Sequence, residues 1–333
     1  MRRKVILFST LAAFVGLGFL LLPLSEYRYA ANPLPATFDE FLAMKLKQSA
    51  DAGARQGCEE RLVRFAPGQT DLAILYIHGF GASRAEGEAV MDPVSSKLKA
   101  NTYYVRLPGH GTNKEDHARV RYTELLDTSE EALRAMPLLG KHIIVVGTSM
   151  GALLATHLAA EHPEQVHALI VASPFYEFYR SDANVAAYPG GLTLVELVGG
   201  GVIRDVRKKP NDPNDTRIEG YQNYWYDVQY FAALRGLAQL KRAVSKPSTF
   251  GRITSPVLML YYYRDEEHQD KSASVPGMLD GFQQFGKFSK PNPLNRSVAI
   301  EQGDHVLMSK WVPTDKALIE KEILRFIEDV ETK

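Results

Sequence analysis

The sequence predicts an α/β domain, a mostly parallel sheet covered by helices on both faces. Three observations carry this. Short runs rich in β-branched and aromatic residues alternate along the chain with segments of helical periodicity. The runs are apolar throughout rather than alternately polar, as strands buried on both faces must be. The 333 residues, 45% hydrophobic and 23% charged, suffice for a large core and exclude a disordered chain.

In chain order, 61–70 reads as an extended piece, and 71–77 as a continuous apolar strand ending at His78-Gly79. Runs at 102–105, 142–146, 168–171, 257–262 and 297–300 supply further strands. Helices are expected over 84–99, 122–136, 151–162, 274–285 and 314–330. The rhythm breaks between about 175 and 248, where no strand is evident. A stretch this long is expected to be a helical cap inserted after strand 6 rather than a loose loop. It holds an apolar patch at 192–203, a polar segment at 208–215 and an aromatic cluster at 221–231.

The N-terminus stands apart from the 32–333 body. Arg2, Arg3 and Lys4 precede an apolar run at 5–24, broken only by Ser9 and Thr10, and about 20 such residues can span a bilayer. Arg28 and Tyr29 stand where a signal-peptidase site before Ala31 and Asn32 wants small side chains. Residues 1–31 are therefore expected to be a retained membrane anchor, with an uncleaved or cleaved secretory signal as the alternative. Positive charge stays in the cytoplasm, so the body is expected outside it, on the periplasmic side of a bacterial inner membrane, or secreted if the segment is cut.

Lys plus Arg number 39, as do Asp plus Glu, so no basic excess points to nucleic acid. The single cysteine, Cys58, excludes an internal disulfide framework and a zinc ribbon.

Chemistry concentrates at Gly147-Thr148-Ser149-Met150-Gly151, between a strand and a helix. Such a turn pushes a serine hydroxyl out of the sheet, and the two glycines let strand and helix approach. Upstream, His78-Gly79-Phe80-Gly81 ends a strand, and the N–H groups of Phe80 and Met150 can together hold an oxyanion. The loop lacks the closing Gly-Lys-Ser/Thr of a phosphate loop and the spacing of a dinucleotide fingerprint.

A serine needs a base, and the base needs an acid. His305, in Gly303-Asp304-His305 before the last helix, is the expected base; His78 and His110 compete from glycine-bounded loops. His157, His162 and His167 read as surface and helix-end residues, since a spacing of five turns them about 140° apart. Asp265, the first carboxylate after strand 257–262, is the expected acid, with Glu266, Glu267 and Asp304 as rivals.

These residues resemble the α/β-hydrolase superfamily, in the branch of carboxylesterases, monoacylglycerol lipases and serine-aminopeptidase-like hydrolases. The resemblance covers roughly 62–330 and rests on His78-Gly79-Phe80, Arg106-Leu107-Pro108-Gly109-His110-Gly111, the 147–151 turn, Asp265 and His305. The order Ser, Asp, His agrees with that family. Arg264 departs from it, and the 40 residues from Asp265 to His305 are long for the type, a length the polar stretch 287–295 would explain.

The expectation is a serine hydrolase that cleaves carboxylic esters, short-to-medium acyl esters or monoacylglycerol-like lipids, through an acyl-enzyme and without metal or organic cofactor. A peptidase and an acyltransferase are the alternatives on this fold. His78, Gly79, His110, Phe175, Tyr176 and Trp225 are the expected pocket.

Overall fold

In the computed structural model the described residues are 24, 26–207 and 217–332. All of the expected anchor run 5–24 except Leu24 lies outside them. Among the described residues no helix is long and apolar enough to cross a membrane.

The strands are β1 (Arg61–Val63), β2 (Thr70–Ile77), β3 (Asn101–Tyr104), β4 (Gly140–Thr148), β5 (Val166–Ala172), β6 (Ile203–Asp205), β7 (Val228–Tyr230), β8 (Val257–Tyr262) and β9 (Arg296–Ile300). Seven of them form one sheet in the order β1-β3-β2-β4-β5-β8-β9, and β6 pairs with β7 apart from it. Only β1 is antiparallel to its neighbour; every other pair in the large sheet is parallel.

Alternation along each strand divides the apolar residues between two cores. On β2 and β4, Ala73, Leu75, Ile77 and Val145 feed one face, and Ile74, Tyr76, Ile144 and Val146 feed the other. Both sets are buried, which is why the runs are apolar at every position.

The helices are α1 (Phe38–Asp51), α2 (Glu88–Leu98), α3 (Lys114–Arg119), α4 (Tyr122–Ala135), α5 (Met150–Glu161), α6 (Gly191–Val198), α7 (Ala233–Val244), α8 (Pro247–Phe250), α9 (Val275–Phe282) and α10 (Lys316–Glu331). Phe38 and Phe41 of α1, Leu125 of α4 and Leu153 of α5 pack on the first face. Val90 and Met91 of α2 and Ile319, Ile323 and Phe326 of α10 pack on the second.

The chain leaves the sheet after β5, the fifth strand described rather than a sixth, because β1 alone precedes β2 among the described residues. It re-enters at β8. The intervening stretch is not wholly helical: β6 and β7 form a short antiparallel ribbon, Ile203 opposite Tyr230 and Asp205 opposite Val228. Strands of three residues are too short to display a period of two. Helix α7 buries Leu237, Leu240 and Val244 in the first core and so fixes the insertion to the body.

Candidate active site

The C-terminal ends of the parallel strands converge where the insertion arches over them, the place where open α/β sheets carry their sites. Strand β4 ends at Thr148 and α5 begins at Met150, so Ser149 makes the whole turn, with φ 55° and ψ −115°. Such a conformation is costly for a residue with a side chain and persists only where its surroundings hold it. Here Ser149 N donates to Ala172 O at 2.9 Å. A Cβ on Gly147 would lie 2.4 Å from Gly151 O, and one on Gly151 would lie 2.0 Å from Ile77 O, so the close approach requires both glycines.

Ser149 Oγ is 2.8 Å from His305 Nε2, and His305 Nδ1 is 2.6 Å from Asp270 Oδ2. An ionised carboxylate only accepts, so Nδ1 donates to Asp270 and Nε2 accepts from the serine hydroxyl. The other Asp270 oxygen accepts from Ser272 N at 2.8 Å and Ala273 N at 2.9 Å, which locks the carboxylate's orientation. Burial pulls the His305 imidazole pKa down, but Asp270 first, then Asp304 and Glu86, outweigh burial and raise it above the ordinary value.

Asp265, the acid expected from the sequence, does not reach His305. It sits exposed in the turn after β8, where its Oδ1 accepts from His268 N at 2.9 Å and His268 Nδ1 at 2.7 Å. The chain folds back there, pairing Tyr263 with Gln269, and Asp270 N donates to Tyr262 O at 3.2 Å. The return brings Asp270, not the first carboxylate past the strand, to the strand end. Its separation from His305 is 35 residues, and that shorter interval was the signal available in the sequence.

After β2, Gly79 packs against the serine: a Cβ there would be 3.2 Å from Ser149 Cβ. Among the described residues Phe80 N donates to no backbone group, and Met150, first residue of α5, has no carbonyl behind it in the helix. Gly79 N is taken by Glu86 Oε2 at 2.6 Å, and Tyr76 Oη links that carboxylate, at 3.4 Å, to Thr148 Oγ1, at 3.0 Å. Burial raises the Glu86 pKa to about 7. Nothing in the sequence distinguishes Glu86 from the charged residues around it.

His78 is a brace rather than a wall. Fully buried, it accepts from Leu107 N at 3.2 Å and donates to Gly79 O at 2.9 Å, and burial holds it neutral. His110 donates to Pro108 O at 2.8 Å, and burial lowers its pKa to about 4. Tyr176 is core, its hydroxyl 2.7 Å from Thr156 Oγ1 and its ring 4.8 Å from Phe250. Of the expected pocket, Phe175 and Trp225 line the cavity that holds Ser149 and His305; His78, Gly79, His110 and Tyr176 do not. The cavity measures about 1080 Å³ and is walled largely by the insertion.

His157 and His162 are not surface residues acting singly. They converge on one buried carboxylate, Glu130, at 2.9 and 2.7 Å. His162 lies just past the end of α5, so helical spacing does not govern where its ring points. Among the described residues no His, Cys, Asp or Glu group is arranged to hold a metal ion.

Residues 74–313 match the model of a family described as the alpha/beta hydrolase family. Over 105 residues the chain is 29% identical to the pimeloyl-(acyl-carrier protein) methyl ester esterase of Vibrio atlanticus, a match covering 32% of this chain and 37% of that one. It likewise spans less than half the length of two other esterases of that name. It is 26% identical over 200 residues to the thermostable monoacylglycerol lipase of Bacillus sp., covering 59% of this chain and 71% of that one. A solved structure of the metagenome-derived lipolytic enzymes LipS and LipT shares the fold, with a TM-score of 0.62 at 19% identity over 83% of this chain and 99% of that one.

Proposed function

The chain belongs to the alpha/beta hydrolase family, and on that footing we propose that it hydrolyses carboxylic esters by acyl transfer through Ser149. The observation that carries this is the continuous hydrogen-bonded line from Ser149 Oγ to His305 Nε2 and from His305 Nδ1 to Asp270. His305 takes the hydroxyl proton as Oγ bonds to the ester carbonyl carbon. The carbonyl oxygen becomes an oxyanion, held by the N–H groups of Phe80 and Met150. Collapse breaks the bond to the alcohol oxygen, which leaves with the proton from His305. Water then gives a proton to His305, attacks the acyl-serine, and releases the acid as the proton returns to Ser149. Asp270 fixes the tautomer and stabilises the imidazolium.

The substrate is a short-to-medium acyl ester or a monoacylglycerol-like lipid. Phe175, Phe178, Trp225 and Leu237 in the cavity wall support an acyl site, as does the likeness to a monoacylglycerol lipase. The basic start and apolar run at 5–24 support a body tethered outside the cytoplasm. Initial rates on chromogenic esters from acetyl to palmitoyl, with Ser149→Ala alongside, test the reading. Turnover that peaks at one chain length and vanishes in the variant is expected; turnover that survives in the variant contradicts it.

A further inference from the structure

Among the described residues four arginines line the cavity around Ser149: Arg180, Arg204, Arg207 and Arg217. Three are occupied. Arg180 pairs with Asp182 at 2.7 Å and Arg207 with Asp205. Arg217 donates to Val206 O at 3.0 Å and lies over the Tyr221 ring at 4.5 Å. Arg204 has no hydrogen-bond, ion-pair or ring partner among the described residues.

The strand register decides where its side chain points. Arg204 on β6 stands opposite Gln229 on β7, and directly opposed residues of an antiparallel pair project to the same face. Gln229 is buried against the loop after β2: a Cβ on Gly81 would come within 2.7 Å of its Nε2. The Arg204 guanidinium therefore leaves the ribbon on the side of Phe80 and enters the cavity that Ser149 lines. Its charge is felt by His117, which burial, then His110 and His78, then Arg204 hold below the ordinary imidazole range. His117 in turn lies 4.5 Å from the Phe80 ring.

Arg204, like the rest of β6, is exposed, and an arginine does not shed its charge, so its guanidinium stands at the cavity wall as a solvated cation without a counter-charge, free to meet an anion. Partial desolvation and then the neighbouring Arg217 disfavour the charged form here. Its planar donors match a carboxylate or a phosphate in two parallel hydrogen bonds.

We propose that Arg204 forms an anion-binding subsite of this cavity, so that the ester substrate carries a second group, a carboxylate or a phosphate, held by Arg204 while its carbonyl meets Ser149. The inference rests on ester hydrolysis at Ser149 and names the substrate class within it.

Two matched pairs test it: p-nitrophenyl butyrate against mono-p-nitrophenyl glutarate, and 1-butyrylglycerol against 1-butyrylglycerol 3-phosphate. The quantity read is the ratio of kcat/KM for the anionic member over the neutral one, in the full chain and in Arg204→Gln and Arg204→Lys. The ratio is expected to fall about 10- to 100-fold in Arg204→Gln, the cost of a lost charge-assisted hydrogen bond, and to recover in part in Arg204→Lys. A fall in the glutarate pair alone assigns a carboxylate, and one in the phosphate pair alone a phosphorylated alcohol. Ratios equal in the full chain and Arg204→Gln for both pairs overturn the inference. Turnover of none of the four esters contradicts ester hydrolysis instead. The subsite is then read from calorimetric binding of glutarate and glycerol 3-phosphate, which Arg204→Gln must weaken for the inference to stand.

Discussion

Asp270 and His305 share a 2.6 Å hydrogen bond between a carboxylate closed off from solvent and an imidazole whose other nitrogen reaches Ser149. Asp265, five residues earlier, spends its oxygens on the exposed turn around His268. The two aspartates therefore make opposite predictions. Asp270→Asn is expected to lower kcat on a short ester by about 10³- to 10⁴-fold, as losing the acid of such a triad does elsewhere. Asp265→Asn should remain within a few-fold of the unaltered chain. Steady-state kinetics of the two variants side by side checks this, and the reverse ranking would return the acid's role to Asp265.

The same pair sets the pH dependence. His305 must be neutral to accept the serine proton, and its pKa is raised above 6.5 because Asp270 outweighs burial. Activity should therefore rise with pH through a limb lying above that value, and residual activity in Asp270→Asn should show the limb at lower pH. A kcat/KM profile from pH 5 to 9 reads both. An acid limb that stays in place in Asp270→Asn would separate Asp270 from the titration.

Glu86 gives a stability prediction with a definite sign. Its folded pKa, about 7, lies above the ordinary 4.5, so the unfolded chain loses this proton first and stability falls as pH rises between those values. Glu86→Gln keeps an acceptor for Gly79 N but cannot ionise. Its advantage over the unaltered chain should be small near pH 4.5 and grow to the order of 3 kcal/mol above pH 7. Urea unfolding of both chains across pH is the measurement, and parallel stability curves would show that burial does not hold Glu86 protonated.

Gly151→Ala probes the turn itself. The new methyl would meet the Ile77 carbonyl oxygen at 2.0 Å, a backbone atom that cannot rotate away. A loss of about 1–3 kcal/mol is expected from the overpacking, with esterase activity falling further as Ser149 shifts. Wild-type stability and rate in this variant would mean that strand and helix do not need their close approach.

What the sequence discloses follows from how local each feature is. The strands of the sheet centre are legible because β2 and β4 are buried on both faces and so are apolar at every position. The turn at Ser149 is legible because Gly147 and Gly151 are demanded by contacts within a few residues and with the neighbouring strand. Helix α1 went unread although Thr37 and Glu40 cap it reciprocally, a pattern visible as Thr-x-x-Glu. Asp270 is a different case: which carboxylate reaches His305 depends on how the 263–269 turn folds back, and three neighbouring acids compete in sequence. Glu130 likewise gathers His157 and His162 from another helix, a tertiary meeting that periodicity on α5 cannot announce. Arg204 emerges only from the register of two three-residue strands.

The central claim is that Ser149 is a nucleophile activated by His305. Incubating the chain with a serine-reactive fluorophosphonate and locating the adduct by peptide mass spectrometry tests it most directly. One adduct on Ser149 is expected, formed with loss of esterase activity and absent in His305→Ala. An adduct on another residue, or labelling of Ser149 at an unchanged rate without His305, would contradict the account.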